Sequence, residues 1–214
     1  MITIEPVIET FDAKGFTAWP VSTHIASQFL VLSGELTSAE VGTVMAVIAV
    51  YNHNRIASSG EEDEHPSPAG LIQRIAQADS LIAPGGLRVR DTTAGLTVNP
   101  SCCCGLEGWQ EWHQVAPWQS PWLGHSPTPW VEHLGDKIRV WPDGGDEAVP
   151  TAGTSPIEIL ASDFPGLIED AHKQLQDFLD LLKPWALPLA GAAGGSLGSV
   201  LAEHFHVRWP APTP

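Results

Sequence analysis

The chain is poor in basic residues and in charge overall. Only 10 of its 214 residues are lysine or arginine, against 25 aspartates and glutamates, which leaves a formal charge of −15 at pH 7. This net negative charge repels phosphate backbones and anionic lipid headgroups over the distance that salt does not screen. The composition therefore predicts that neither nucleic acid nor a membrane is a partner of the protein.

The sequence also lacks two kinds of apolar segment. No charged stretch followed by an apolar stretch opens the chain, and no unbroken apolar run reaches about 18 residues, the length that a membrane span requires. These absences predict a cytoplasmic protein. With 43% apolar and 16% charged residues, the chain has a globular composition and is long enough to bury a sizeable core without disulfide support.

Cysteine is scarce, and all 3 cysteines stand side by side in the segment NPSCCCGLEGW at 99–109. Neighbouring cysteines rarely reach disulfide geometry and an odd thiol is left over, so reduced thiols are expected. The following GLEGWQEWHQV predicts a helix with Ser101 as its cap. The cysteines would then lie in its first turn, where the positive end of the helix dipole favours a thiolate.

Three interpretations of this cysteine cluster stay open. Thiolates favour zinc or another soft metal, and a site can be built from Cys102 and Cys104 with His113, His125 or His133. Of these, Cys102, Cys104 and His113 are the predicted metal ligands, although no C-x-x-C pair supports them. Cys104 is alternatively a catalytic nucleophile with a histidine as its base. Under the third interpretation the three thiols only pack in the core, as small apolar side chains do.

Tryptophan is the second unusual feature, since 6 of the 9 tryptophans lie between residues 109 and 141 and 7 adjoin a proline. A Pro-Trp pair combines a stiff backbone with a large flat ring that loses little conformational entropy on docking. The segment APWQSPWLGHSPTPW at 116–130 therefore either wraps the core or lines a pocket for a small molecule or protein partner. The predicted ligand-binding residues are Trp118, Trp122, His125, Trp130 and His133.

Extended and helical patterns are interspersed along the chain, which predicts an α+β fold with a mixed or mainly antiparallel sheet. The hairpin patterns are the clearest extended signals, above all the one that turns at Gly135 and Asp136. The predicted extended segments and hairpins cover residues 2–8, 29–32, 85–100, 128–145 and 156–160.

Two longer helices are predicted to pack on this sheet, at about 38–56 and about 163–183. The first begins with a capping box of Thr37 and Glu40, and the second carries apolar residues at helical spacing. An acidic loop is predicted at 58–68. Residues 1–189 are then expected to form a single domain, followed at 190–214 by a Gly/Ala-rich linker, a short helix and a frayed tail.

The segments SCCCGLEGWQEW, PWLGHSPTPWVEH and RVWPD resemble uncharacterised proteins from actinomycete genomes. The resemblance covers about residues 98–185, and it implies no activity that can be transferred to a residue of this chain.

Taken together, these patterns predict a non-enzymatic, acidic cytosolic binding protein of the immunity or regulatory type. Such a protein would engage a protein or small-molecule partner through its Trp/Pro-rich segment, and a basic partner would complement its charge. The alternative is a metal-binding or thiol-active protein that uses Cys102, Cys104 and nearby histidines, with zinc or another soft metal as the ion; the cofactor is otherwise left open. The identity of the partner and the oligomeric state are left open.

Overall fold

The structure is a computed structural model that describes residues 1–10, 13, 15–23, 27–56, 67–115, 119–144, 149 and 151–208. Most of the predicted acidic loop lies outside the described residues, and so does Trp118 of the predicted ligand-binding set. The chain divides into two compact units. The first unit comprises Met1–Val7 and Gly85–Lys173, and the second comprises Ile8–Pro84 and Gln174–Pro214.

Within the residues that the structure describes, seven strands form two sheets. The first sheet has the order β2-β1-β3-β4, and its strands are β1 (Ile2–Glu9), β2 (Phe29–Val31), β3 (Gly85–Asp91) and β4 (Leu96–Val98). The second sheet has the order β5-β6-β7, and its strands are β5 (Trp130–Leu134), β6 (Lys137–Trp141) and β7 (Ile157–Leu160). The helices are α1 (Ser38–Tyr51), α2 (His53–Ile56), α3 (Pro68–Ala76), a 3₁₀ helix (Leu106–Gln114) and α4 (Phe164–His204). The predicted α+β class is confirmed.

Both predicted hairpins are present in the first unit. β3 pairs antiparallel with β4, and β5 pairs antiparallel with β6 around a turn in which Gly135 has a φ of +61°. In the second sheet, alternation places Val131, Val140 and Ile157 in one buried row across the three strands. The period of two in the sequence thus puts one face of each strand into the core.

The predicted helix over 38–56 begins as expected but is interrupted. Thr37 and Glu40 form the capping box, and α1 buries every side chain from Val41 to Ala49. Its end is set by Asn52, which is fully buried and whose side-chain amide donates to the carbonyl oxygens of Ile48 and Ile82. The same side chain accepts the N–H of Ile82, so its polar atoms are paired with backbone. This anchoring separates α1 from the short α2.

The last helix extends past the predicted end at 183, and the stretch after residue 189 that was expected to begin with a linker is helical up to His204. Gly191 alone has non-helical dihedral angles (φ 55°, ψ −127°) inside α4. The side chain of Gln176 donates to the carbonyl oxygen of Arg208, 32 residues away, whereas a straight helix would separate them by about 48 Å. The chain therefore doubles back at Gly191, and residues 192–204 form the second arm of a helical hairpin.

A small residue allows the two arms of this helical hairpin to pack closely. A Cβ atom on Gly194 would overlap the backbone carbonyl of Ala186, so the two arms approach closely there. Packing of this kind outweighs the low helix propensity of glycine. From propensity alone the same glycines indicate flexibility, because propensity carries no information on a close tertiary contact.

Of the described helices, α4 is the one whose length and composition would allow it to cross a membrane. One such helix is weak evidence for a span, because the core helix of a globular protein can pass the same test. The cytoplasmic location stays a prediction.

Candidate functional site

Two loop segments of the first unit, residues 101–104 and 123–125, lie side by side. Cys102 and His125 form an isolated antiparallel β-bridge, in which the N–H of His125 donates to the carbonyl oxygen of Cys102 at 3.1 Å. Ser101 adds two hydrogen bonds, from its N–H to the carbonyl of Leu123 at 2.8 Å and from its hydroxyl to the carbonyl of His125 at 2.9 Å. The backbone thus holds the cysteines and His125 in one place.

A glycine makes this close approach of the two segments feasible. Gly124 has a φ of +93°, and a Cβ atom there would lie 2.5 Å from the carbonyl carbon and oxygen of Ser101. Any other residue would meet both backbone strain and a steric overlap at this position.

The bridge brings three potential metal ligands together. Cys102, Cys103 and His125 each offer one ligand atom, and these atoms all lie within 4.8 Å of one another. The two Sγ atoms are 3.3 Å apart, and all three side chains are exposed. Neighbouring side chains point to opposite sides of an extended chain. The left-handed backbone of Cys103, with a φ of +65°, accounts for sulfurs that lie on the same side.

His125 is also oriented by its neighbour. Its Nδ1 lies 3.2 Å from the hydroxyl oxygen of Ser126. In the tautomer that carries the proton on Nδ1, the ring donates to Ser126 and keeps the Nε2 lone pair for a metal ion. This is the arrangement by which polar groups outside the ligand shell orient metal-binding histidines.

Trp122 closes one side of the site and is firmly held. Its indole Nε1 donates to the carbonyl of Cys103 at 3.3 Å, and its backbone N–H donates to Oε2 of Glu111 at 2.8 Å. Despite these two bonds, the residue remains 52% exposed. An exposed indole held by two hydrogen bonds thus lies next to Cys102, Cys103 and His125, which we call the ligand group. The indole centroid is 6.4 Å from that of the His125 ring.

Cys104 differs from the two cysteines before it. It is only 8% exposed, its thiol donates to the carbonyl oxygen of Trp122 at 3.5 Å, and a Cβ atom on Gly86 would lie 3.0 Å from its sulfur. Burial, reinforced by the charges of Glu107 and Glu111, raises the pKa of the Cys104 thiol to about 12. The raised pKa lowers the thiolate fraction of Cys104 far below that of an ordinary cysteine, and its burial restricts access to the sulfur. Cys104 therefore fits the interpretation in which a cysteine only packs in the core.

The expected placement of the cysteines in the first turn of a helix is wrong. The helix after the cysteines is a 3₁₀ helix that begins at Leu106, with Gly105 as its N-cap and no side-chain capping bond. All three cysteines precede it, and Ser101 bonds to the facing loop instead of capping the helix. Gly105 and Gly108 lower the α-helical propensity of this segment, as their low ranking predicts.

The structure separates the other predicted site residues from the ligand group. His113 lies on the 3₁₀ helix with its ring edge-on to Trp109 at 5.4 Å, and it is not a member of the group. Trp130 and His133 lie on β5, where Trp130 stacks on Trp141 at a centroid distance of 6.1 Å. Of the predicted residues, the site therefore brings together Cys102, His125 and Trp122.

Cys103 is the potential ligand that sequence reasoning missed. A chain taken as extended points Cys102 and Cys103 in opposite directions, which favours pairing Cys102 with Cys104. No signal in the sequence announces a left-handed backbone at a cysteine, since that conformation is uncommon for any residue with a Cβ atom.

No protein-family model, no curated protein and no solved structure matches this chain. Its function has to be argued from the chemistry of the site, because a fold class alone does not specify an activity.

Proposed function

We propose that the protein binds a soft metal ion through Cys102, Cys103 and His125. The observation that carries this proposal is the convergence of two sulfurs and one imidazole nitrogen within 4.8 Å of one another. Neither exposed cysteine is explained by packing, because cysteines that serve as small apolar residues are typically buried, as Cys104 is.

The donor atoms select the class of ion. Thiolate and imidazole ligands suit Zn²⁺, Cu⁺ and other borderline or soft ions, whereas Mg²⁺ and Ca²⁺ require oxygen donors. Two thiolates and a neutral imidazole together compensate the charge of a divalent ion. Tetrahedral zinc needs four ligands, so three from the protein leave one position for water or an incoming group. Because the ligands are exposed, an ion reaches them without any opening of the chain.

The proposal is tested by titrating reduced, metal-free protein with Cd²⁺ and recording the thiolate-to-metal charge-transfer absorption in the ultraviolet. We expect a saturable signal at one ion per chain that Zn²⁺ displaces in competition. Cys102→Ser, Cys103→Ser and His125→Ala should each weaken binding by at least roughly 10- to 100-fold, the loss that even a group outside the ligand shell causes.

Matched controls separate this site from the ligand set predicted from sequence. Cys104→Ala and His113→Ala remove the same residue types at positions outside the group, and they should leave the Cd²⁺ affinity unchanged. An affinity that depends on Cys104 and His113 but not on Cys103 and His125, or no saturable Cd²⁺ signal at all, would contradict the proposal.

A second candidate function, binding of a protein partner, is favoured by Trp122. This indole is held by two hydrogen bonds and is still 52% exposed, so it would lose little conformational entropy on docking. Rigid, exposed tryptophans of this kind often anchor protein interfaces. The net charge of −15 favours a basic partner through electrostatic steering.

Comparative capture with purified variants tests this second function. A partner retained by the wild type should be lost on Trp122→Ala and kept on Leu134→Ala, which removes another exposed apolar side chain, 42% exposed. The dissociation constant of the purified partner would then be measured for both variants. Partners that bind Trp122→Ala as tightly as the wild type would contradict an anchoring role for this residue.

A further inference from the structure

We propose that Cys102 and Cys103 close a reversible disulfide with each other, and that this oxidation releases the bound ion. The site is then a redox-controlled metal site. The disulfide is inferred from the positions of the two sulfur atoms alone, whereas the release of the ion rests on the proposed metal binding.

The two sulfurs are already close and accessible. Their Sγ atoms lie 3.3 Å apart on exposed side chains. A disulfide needs about 2.05 Å, so the sulfurs have to approach by only about 1.2 Å. Side-chain rotation supplies a movement of that size, since the left-handed backbone of Cys103 has already placed both sulfurs on one side.

Such a disulfide would be easily reduced. Cα atoms joined by one trans peptide lie about 3.8 Å apart, below the usual range of roughly 4.4–6.8 Å for bridged cysteines. Exposed disulfides outside the usual geometry have higher reduction potentials and are typically regulatory rather than structural. The pair is therefore suited to switching in both directions.

The third thiol does not compete. Cys104 is buried against Gly86, and its thiol donates to the carbonyl of Trp122. Oxidation is thereby directed to one of the three pairings that the cysteines allow.

Hydrogen peroxide is the oxidant in the simplest form of this reaction. The imidazole of His125 can accept the proton of one thiol, and the resulting thiolate attacks a peroxide oxygen. The O–O bond breaks, the sulfur becomes a sulfenic acid, and the leaving hydroxide takes the proton back from the imidazolium and departs as water. The second sulfur then attacks the sulfenic sulfur, so that the S–S bond forms and the S–O bond breaks with loss of a second water. Two thiols are oxidised to one disulfide, and one peroxide is reduced to two waters.

Oxidation and metal binding exclude each other. Thiolates are the form of cysteine that ligates metals, and a disulfide between Cys102 and Cys103 removes both of them. Only His125 of the three ligands then remains, and a single imidazole does not hold the ion. Conversely, a bound ion occupies the sulfur lone pairs and should slow their attack on peroxide.

The disulfide is tested on the full-length, metal-free, reduced protein treated with one equivalent of hydrogen peroxide. We expect the intact mass to fall by two hydrogen atoms and to return after treatment with dithiothreitol. Alkylation before and after reduction, followed by fragment mass spectrometry, should place the disulfide at Cys102 and Cys103 and leave Cys104 as a thiol. Cys104→Ala should still form it, and Cys103→Ser should not. A disulfide to Cys104, a disulfide-linked dimer, or sulfinic acid without any disulfide would overturn the inference.

The release step is tested on the Cd²⁺-loaded protein. Peroxide should act more slowly than on the metal-free protein, and the charge-transfer absorption should disappear in step with formation of the disulfide. An ion that stays bound to the oxidised pair would overturn this step. The two proposals can be contradicted independently. Cd²⁺ binding without any disulfide would overturn this inference but would be consistent with the proposed metal site. A disulfide without Cd²⁺ binding would overturn both the proposed metal site and the release of the ion.

Discussion

The carbonyl oxygen of Cys102 accepts the backbone N–H of His125 at 3.1 Å, and this bond joins the two loops that carry the ligand group. The thiols and the imidazole are therefore positioned by backbone contacts, not by long flexible side chains. Residues that shape this backbone should control metal affinity even though they offer no ligand atom.

Gly124→Ala should destabilise the protein and weaken Cd²⁺ binding. The new Cβ would lie 2.5 Å from the backbone of Ser101 at a φ of +93°, so the loops have to separate. We expect a loss of about 2–4 kcal/mol in the free energy of unfolding, from the backbone conformation and the overlap combined. Urea denaturation and Cd²⁺ titration check both effects.

Gly135→Ala is the matched control for this change. Its φ is +61°, but a Cβ there meets nothing within 4 Å, so only the conformational cost of about 1–2 kcal/mol applies. Equal losses for the two variants, or an unchanged Cd²⁺ affinity in Gly124→Ala, would show that the close approach of the loops is not what positions the ligands.

Ser101→Ala tests the side-chain bond across the bridge. The hydroxyl donates to the carbonyl of His125 at 2.9 Å, and its loss should cost about 1 kcal/mol of stability while lowering Cd²⁺ affinity by roughly 10-fold. Ser196→Ala removes an equivalent bond, from a serine hydroxyl to the carbonyl of Ala193 at 3.1 Å, away from the ligands. This control should leave the Cd²⁺ affinity at the wild-type value, and a similar drop in both variants would argue against a role for Ser101 in the site.

Cys104 should make stability fall at alkaline pH. Burial raises the pKa of its thiol from 9.0 to about 12, so the folded state holds a proton that the unfolded state loses. Its contribution is fully present below about pH 9 and declines by at most about 1.4 kcal/mol per pH unit above that value. Urea denaturation of the wild type and Cys104→Ala from about pH 8 to about pH 10.5 checks this, because groups common to both cancel. A difference between the two proteins that does not change with pH would contradict a buried, protonated thiol.

Gly194→Ala should destabilise the helical hairpin of α4. The added methyl group would overlap the carbonyl of Ala186 on the other arm, and overpacking of this kind costs about 1–3 kcal/mol. Gly195→Ala, one residue further on, meets only Leu187 Cδ1 at 3.9 Å and should be neutral or stabilising by up to about 1 kcal/mol. Thermal unfolding of both variants checks the sign, and destabilisation of equal size would place the contact between the arms elsewhere.

Local signals account for the parts of the fold that were predicted correctly. The capping box of Thr37 and Glu40 and the turn at Gly135 depend on residues within a few positions of each other, and both are present in the structure. Failures of prediction occur where distant residues decide. Asn52 ends α1 by bonding to Ile82, and Gly194 becomes helical because it packs against Ala186.

The same distinction between local and long-range causes applies to the candidate site. From the amino-acid sequence alone, the thiols could be counted, placed next to a Trp/Pro-rich segment and expected to be reduced, because those conclusions follow from residue type and spacing. The bridge between Cys102 and His125 and the left-handed backbone of Cys103 determine which thiols are exposed and which histidine lies near them. Only the tertiary structure decides these points, because a hydrogen bond between distant loops and a costly backbone conformation are stabilised by the packing of the whole unit and leave no local pattern in the chain.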